Sequence, residues 1–368
     1  MNLYMPTRFL SGQRAVIENA DRIASFGQKC LIVTSKTAAK ISGALDDAVE
    51  ALNAMGVAYA ICDTIRPNPS IDACLEAGRF GTKFGAEFVL GIGGGSPLDA
   101  AKVIAAAVSN PSITAEALYA MQWQKKPAPI VLIGTTAGTG SEVTPTAVIT
   151  DRTGRKTSIS GPELFAALSI GDPRYTETAP LPVTASTGMD ALCHCLESFL
   201  SKTADTISRA AAAAGIRTLV PLLESVAAKN TPAFKERKAL YEASILGGLA
   251  ISVTGTLAPH SFGYLLSEQY DIPHGFACAC FLPPLLEQAQ DFAPETVRAL
   301  CLQTGVSTER LLALKDAILP KYDLRMTDAQ MEETSLRWVP PNKNMLKTPG
   351  EFDRSVVLKF LRSVFSEQ

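Results

Sequence analysis

Residues 87–109 hold the feature that most limits what this chain can fold into. An apolar, strand-like run over 87–92 leads straight into four glycines within five residues, Gly91, Gly93, Gly94 and Gly95. Ser96-Pro97-Leu98-Asp99 and a helical pattern follow. A strand that enters a helix through glycines presents bare backbone N–H groups at the helix start, where the helix dipole also favours phosphate. Ser96 is expected as the N-cap, with Pro97 at the first helical position and Asp99 at the third. A tight strand-to-helix turn with no ligand is the plain alternative. The placement between strand and helix favours a dinucleotide pyrophosphate site. The match to the usual fingerprint is partial. Gly91-x-Gly93-x-x-Ser96 ends in serine, and no acidic residue closes a strand about 20 residues later. A whole strand–helix–strand unit also precedes the turn.

That unit sets the fold class. Residues 29–34, 57–65, 87–92 and 129–134 read as strands, and 38–55 and 71–84 read as helices between them. Continuous apolar strands separated by helices indicate a parallel sheet covered on both faces. Residues 148–150 and 156–160 are expected as a peripheral hairpin. Beyond Asp172-Pro173 and Ala179-Pro180-Leu181-Pro182 the pattern is almost wholly helical, over 185–202, 206–227, 232–254 and 353–365. The expected division is therefore an α/β dinucleotide-binding domain over 1–178 and an all-helical domain over 179–368. At 47% hydrophobic and 19% charged, the chain is not a disordered one. A net charge of −2 without basic runs gives no footprint for nucleic acid. The longest apolar stretches are strand-length, far short of a membrane span.

A second motif follows the next strand. Gly134-Thr135-Thr136-Ala137-Gly138-Thr139-Gly140-Ser141-Glu142-Val143-Thr144 is dense in small hydroxyl residues. It can wrap a ribose or nicotinamide, or it can be a polar turn capping the next segment. Beside the glycine turn, the cofactor reading gains.

The chain has three histidines, His194, His260 and His274. His194 lies four residues after Asp190 in a helical stretch, so both side chains sit on one face. His260 and His274 are far enough apart to arrive from two helix ends or a helix and a loop. One aspartate with three histidines is a hard-to-borderline set that suits Fe(II), Zn, Co or Ni. Eight cysteines are scattered along a chain whose first ten residues lack the order of a secretory signal, which points to reduced thiols and a cytoplasmic protein. Cys193, Cys195, Cys278 and Cys280 are read as small buried hydrophobes, because the immediate neighbours of a ligand point away from its face.

With these motifs in hand, the chain resembles the iron-containing (group III) alcohol dehydrogenases, within a superfamily that includes glycerol dehydrogenase and dehydroquinate synthase. The resemblance runs from about Thr7 to the C-terminus and weakens after residue 290. It rests on GGGSPLDAAK at 93–102, GTTAGTGSEVT at 134–144, DP at 172–173, TGMDALCHCLESF at 187–199 and PHG at 273–275. It implies a Rossmann-like N-terminal domain, a helical C-terminal domain and a site in the cleft between them. It carries Asp190, His194, His260 and His274 over as ligands of Fe(II), or of zinc as in several members. Gly94, Gly95, Ser96 and Asp99 are carried over to the phosphates and ribose of NAD(P), and Thr135, Thr136, Thr139, Thr144 and Lys156 to its nicotinamide half. The implied activity is a metal-dependent, NAD(P)-linked alcohol dehydrogenase or aldehyde reductase for a small alcohol or aldehyde. The alternatives are a polyol dehydrogenase of the glycerol type or another chemistry of the superfamily. A cyclising lyase needs many basic residues for a phosphorylated substrate, and the stretch from Asp190 to His274 supplies few. The implied assembly is a homodimer or larger.

Two departures stand out. Many members carry a histidine four residues after the third ligand; here that place holds Tyr264, expected either to hydrogen-bond substrate or a metal-held water, or to narrow the pocket. With Phe262, it suggests a compact, partly apolar pocket. Members that prefer NAD often end the strand after the first helix in aspartate; here Ser35 stands there, followed by Lys36. A serine does not repel a 2′-phosphate and a lysine can pair with one, so NADP(H) is expected to be tolerated or preferred.

Overall fold

The computed structural model describes residues 4–366. They fall into two compact units. One contains the residues up to Pro180 together with Ala233–Tyr241, and the other Leu181–Pro232 with the residues from Glu242 onward. Where a single division near 178 was expected, the chain therefore returns to the first unit for nine residues at the start of the helix Phe234–Thr254.

The first unit is built on a six-stranded sheet. Its strands are β1 (Arg8–Ser11), β2 (Lys29–Thr34), β3 (Ala58–Cys62), β4 (Phe88–Gly93), β5 (Ile130–Gly134) and β8 (Leu168–Gly171), in the order β1-β8-β5-β4-β2-β3, and every pairing is parallel. β6 (Thr146–Thr150) and β7 (Lys156–Ser160) form the expected separate antiparallel hairpin.

The continuous apolar strands are explained by two cores. Along β2, Leu31 and Val33 enter one core while Cys30 and Ile32 enter the other. β4 divides Val89 from Phe88, Leu90 and Ile92, and β5 divides Ile130 and Leu132 from Val131 and Ile133. Successive side chains of a strand point to opposite faces, so a strand covered on both sides needs apolar residues at every position. The helices Ile71–Phe84 and Gly95–Ser109 cover the first face, and Ala44–Ala54 covers the second.

Strand order locates the ligand end. From β2 the chain moves outward to β3, then crosses back to β4 on the other side of β2 and proceeds to β5 and β8. The direction of travel reverses between β2 and β4. In parallel sheets the crevice beyond the carboxyl ends of the strands at such a point is where ligands bind. Ser35 follows the last residue of β2 and the glycine turn ends β4, so both flank this point. Thr34 ties the two strand ends together by donating its hydroxyl to the Ile92 carbonyl at 2.9 Å.

The second unit is helical throughout. Its long central helices are Leu181–Leu200 and Thr206–Ala227, followed by the rest of Phe234–Thr254, then Ala258–Gln269 and the short His274–Ala279. Asp205 caps Thr206–Ala227 through the Ile207 and Ser208 N–H groups. Among the described residues this is the one single helix long and apolar enough to cross a membrane; its face of Ala212, Ile216, Leu219 and Leu223 is buried in the structure. An aromatic core of Phe262, Phe281, Phe360 and Trp338, with Phe262 within 4.6–5.1 Å of the other three rings, packs the back of Ala258–Gln269.

Candidate metal centre and dinucleotide site

The helix Leu181–Leu200 places Asp190, His194 and Glu197 on one stripe, four and then three residues apart. The helix Ala258–Gln269 adds His260 from its first turn, and His274 opens the next short helix. All three histidines converge on one carboxylate oxygen. From Asp190 Oδ1 the distances are 3.7 Å to His194 Nε2, 3.5 Å to His260 Nε2 and 3.9 Å to His274 Nε2. The rings of His194 and His260 stack at 4.7 Å, and His260 meets His274 edge-on at 5.3 Å.

A glycine permits this convergence. A Cβ on Gly275 would lie 1.9 Å from the Ser186 carbonyl oxygen and 2.8 Å from the Asp190 nitrogen. Only a bare backbone after His274 lets the short helix rest directly on the Asp190 helix, which gives the glycine of the PHG motif its physical reason.

The donors fit a divalent ion. Asp190 Oδ1 and His260 Nε2 are buried without a hydrogen-bond partner. An orphaned acceptor is costly unless something positive satisfies it. Two ligands, each about 2.1 Å from one tetrahedral ion, stand about 3.4 Å apart, near the spacing seen here. His260 is also oriented for the task. Its Nδ1 lies 2.6 Å from Glu197 Oε1, and the other oxygen of this fully buried carboxylate accepts the Leu257 N–H. A carboxylate only accepts, so Nδ1 carries the proton and Nε2 turns its lone pair toward Asp190.

The electrostatics agree. Burial works against ionising Asp190, yet the rings of His194, His260 and His274 hold its carboxyl well below the usual carboxylate range. Burial likewise disfavours charge on His260, but Cys278, Glu197 and Asp190 raise its proton affinity well above that of an ordinary imidazole. The pocket attracts a cation, and a proton competes with a metal for it.

Tyr264 is one turn beyond His260 and half-buried. Its ring stacks on His274 at 5.5 Å with planes 12° apart. Phe262, expected in the pocket with it, is fully buried in the aromatic core instead. Two residues along a helix turn by about 200° at 3.6 residues per turn, so Phe262 leaves the His260 face while Tyr264 returns to it.

In the other unit, the structure brings the two cofactor motifs into contact. A Cβ on Gly94 would lie 3.1 Å from Thr136 Oγ1, and one on Gly95 would lie 2.7 Å from Thr139 Cγ2. The Thr135 N–H donates to the Gly93 carbonyl at 2.9 Å. The cap is two residues earlier than expected: Gly94 is the N-cap, the helix begins at Gly95, and Ser96 Oγ accepts the Asn68 N–H. With no Cβ at the cap, the chain turns without a side-chain bond and leaves the first N–H groups bare. Ser35 is half-buried just past β2, and Lys36 is exposed. Lys156 opens β7 opposite Thr150 in the hairpin.

Asp99, assigned to phosphate and ribose, has both oxygens engaged within the fold. Oδ1 accepts the Ser141 hydroxyl at 2.6 Å and Oδ2 the Val148 N–H at 2.9 Å. Beside it Lys102, fully buried, donates to Ser141 Oγ at 2.7 Å, to the Thr146 carbonyl at 2.7 Å and to Thr144 Oγ1 at 3.4 Å. Asp99 and Lys102 thus brace the hydroxyl-rich loop against the glycine-turn helix.

Sequence reasoning missed Glu197 and Lys102, each at a helical offset from a residue already singled out, three beyond His194 and three beyond Asp99. Cys278, read from the sequence as a small buried hydrophobe, is buried but lies four residues beyond His274, with Sγ 3.8 Å from its ring nitrogens.

Residues 6–173 match the profile described as "Iron-containing alcohol dehydrogenase", and residues 184–328 match "Fe-containing alcohol dehydrogenase family, C-terminal". A lactaldehyde reductase of Escherichia coli (strain K12) is 32% identical over 302 residues, covering 81% of this chain and 78% of that protein. A crystal structure of an iron-containing alcohol dehydrogenase from Thermotoga maritima superposes with a TM-score of 0.90 at 31% identity, covering 99% of both chains. A sulfoacetaldehyde reductase of Bifidobacterium kashiwanohense, solved in complex with NAD+, gives a TM-score of 0.89 at 25% identity, over 99% of this chain and 98% of that one.

Proposed function

Because this chain belongs to the iron-containing alcohol dehydrogenase family and is an oxidoreductase of alcohols and aldehydes, we propose that it reduces a small aldehyde, or oxidises the alcohol, with a divalent metal held by Asp190, His194, His260 and His274 and a nicotinamide dinucleotide held by the glycine turn. Fe(II) is the first candidate for the ion and zinc the second. The observation that carries the reading is the pair of buried, unsatisfied atoms, Asp190 Oδ1 and His260 Nε2, within a cluster of further imidazole nitrogens.

When bound, the ion supplies Lewis acidity to a carbonyl or alkoxide oxygen, and the dinucleotide supplies or takes up the hydride. The chain's own residues do the rest. Asp190 offers the charged donor, and Glu197 holds His260 in the tautomer that keeps Nε2 available. Bare N–H groups at Gly95 and Ser96 suit a pyrophosphate, and the Thr136 and Thr139 side chains pack against the glycines that form this turn. All three histidines serve the ion, so a proton for the alkoxide comes from the Tyr264 hydroxyl, the cofactor ribose or water. Tyr264, stacked on His274, is the side chain we assign to that step. Ser35 and Lys36 in place of a carboxylate support use of NADPH, alone or beside NADH. The sulfoacetaldehyde reductase structure with NAD+ supports a nicotinamide cofactor here. We also propose a cytoplasmic homodimer or larger homo-oligomer, checked by light scattering of the purified protein.

The test strips the protein with a chelator and follows nicotinamide absorbance against a panel of short aldehydes and alcohols, with Fe(II) or zinc restored. Activity is expected only after metal is returned, and Asp190→Ala is expected to lack it. Full turnover by stripped protein would overturn the metal assignment. Turnover with neither NADH nor NADPH would overturn the cofactor assignment.

A further inference from the structure

We propose that Cys278 is an additional donor to the same metal centre, making it a thiolate-capable site that favours borderline and soft ions such as zinc or cobalt over hard ones. The inference rests on the metal reading above and extends it to a residue outside the Asp–His set. Cys278 is one turn along the short helix from His274, so both side chains share a face. Its Sγ lies 3.8 Å from both ring nitrogens of His274. Donor atoms of Asp190, His260, His274 and Cys278 all lie within 4.8 Å of one another. The sulfur has been given its place: a Cβ on Gly263, one turn from His260, would stand 2.9 Å from Sγ. Cys278 is free and wholly buried. The expectation that cysteines beside the histidines point away holds for immediate neighbours, and Cys278 is not one; it is four residues from His274.

Coordination replaces the S–H bond with an S–metal bond and releases the proton to solvent. Thiolate donors shift preference toward zinc and away from ions that seek oxygen.

The experiment uses full-length protein stripped of metal and titrated with Co(II). A near-ultraviolet thiolate-to-cobalt charge-transfer band is expected in the wild type, lost in Cys278→Ser and kept in Cys193→Ser. Zinc affinity, read by competition with a chromophoric chelator, is expected to fall at least roughly tenfold in Cys278→Ser. If that variant does not fold, X-ray absorption on zinc-loaded wild type replaces it, with one sulfur expected at about 2.3 Å. One cobalt bound per chain with no charge-transfer band, or a zinc shell of nitrogen and oxygen alone, overturns the proposal and leaves the metal centre standing. No cobalt or zinc bound at all overturns both.

Discussion

Glu197 shows how much of a site can depend on a residue that never meets the ligand. Fully buried, it spends one oxygen on His260 Nδ1 and the other on the Leu257 N–H, so it fixes both the ring and the chain entering the His260 helix. Glu197→Gln is expected to weaken metal binding by roughly ten- to a hundredfold, read by chelator competition; unchanged affinity would show that ring orientation does not matter here. Tyr264→Phe keeps the stack on His274 and removes the hydroxyl. Its kcat is expected to fall by roughly a hundredfold, and turnover equal to wild type would reduce Tyr264 to a pocket wall. Ser35→Asp places a carboxylate at the end of β2, and its kcat/KM with NADPH is expected to fall while that with NADH holds; a uniform loss would point to misfolding of the turn. At this scale the grouping of Asp190 with the three histidines was legible because histidine is scarce in the chain and Asp190 has a helical offset to His194. Glu197 was not found because it lies on the Asp190–His194 stripe one step beyond that pair, and Cys278 was read as a buried hydrophobe by a rule for immediate neighbours that does not reach a residue four places from His274. Phe262 was misplaced for the opposite reason: it is near His260 in sequence but on the other side of the helix.

Among the elements, the His274 helix rests directly on the Asp190 helix. The contact at Gly275 leaves no room for a methyl group, so Gly275→Ala must shift one helix, at a cost of about 1–3 kcal/mol. The expected result is a lower denaturation midpoint together with weaker metal binding, and an unchanged pair of values would mean the helices move apart freely. The brace in the other unit makes a pH prediction. Burial pushes Lys102 down to about 8 from 10.5, with Asp99 and Glu142 pulling the other way. Between those pH values the unfolded chain holds more protons than the folded one, so stability attributable to this lysine rises with pH across the window. Wild type is expected to gain stability relative to Lys102→Met as pH is raised from about 8 to 10.5, by denaturant titration; parallel curves would count against a depressed lysine. Elements with continuous apolar runs between turn residues were legible closely: β2, Ile71–Phe84 and Thr206–Ala227 lie where their patterns placed them. Two strands were not. β1, with the sequence RFLS, is a half-exposed edge strand without an apolar run, and β8, LSIG, has four residues, with serine and glycine among them. The helix read over 38–55 is broken where Gly43 turns left-handed at φ 81°.

For the whole molecule, the class of fold was legible because alternating strands and helices have few ways to bury both faces of a sheet. Its division was less so, since the pattern of Phe234–Thr254 is helical from end to end and does not show that its first turns pack elsewhere. A tightly held ion should stabilise only the folded chain, by about 4 kcal/mol at a thousandfold excess over Kd. Chelation is expected to lower the melting temperature and Fe(II) or zinc to restore it; a melting temperature indifferent to both would argue against a structural share for the site. Tyr241 has a different consequence. It is fully buried against Gly134 and Gly171, which keep no side chain in its way, and its hydroxyl donates to the buried Glu142 carboxylate at 2.9 Å. A fragment ending at Pro180 would lack that ring, leaving a void beside two strands and a carboxylate without its donor. The sheet unit is therefore not one uninterrupted stretch of gene, and recombination that exchanged it at its apparent boundary would deliver it without its last piece.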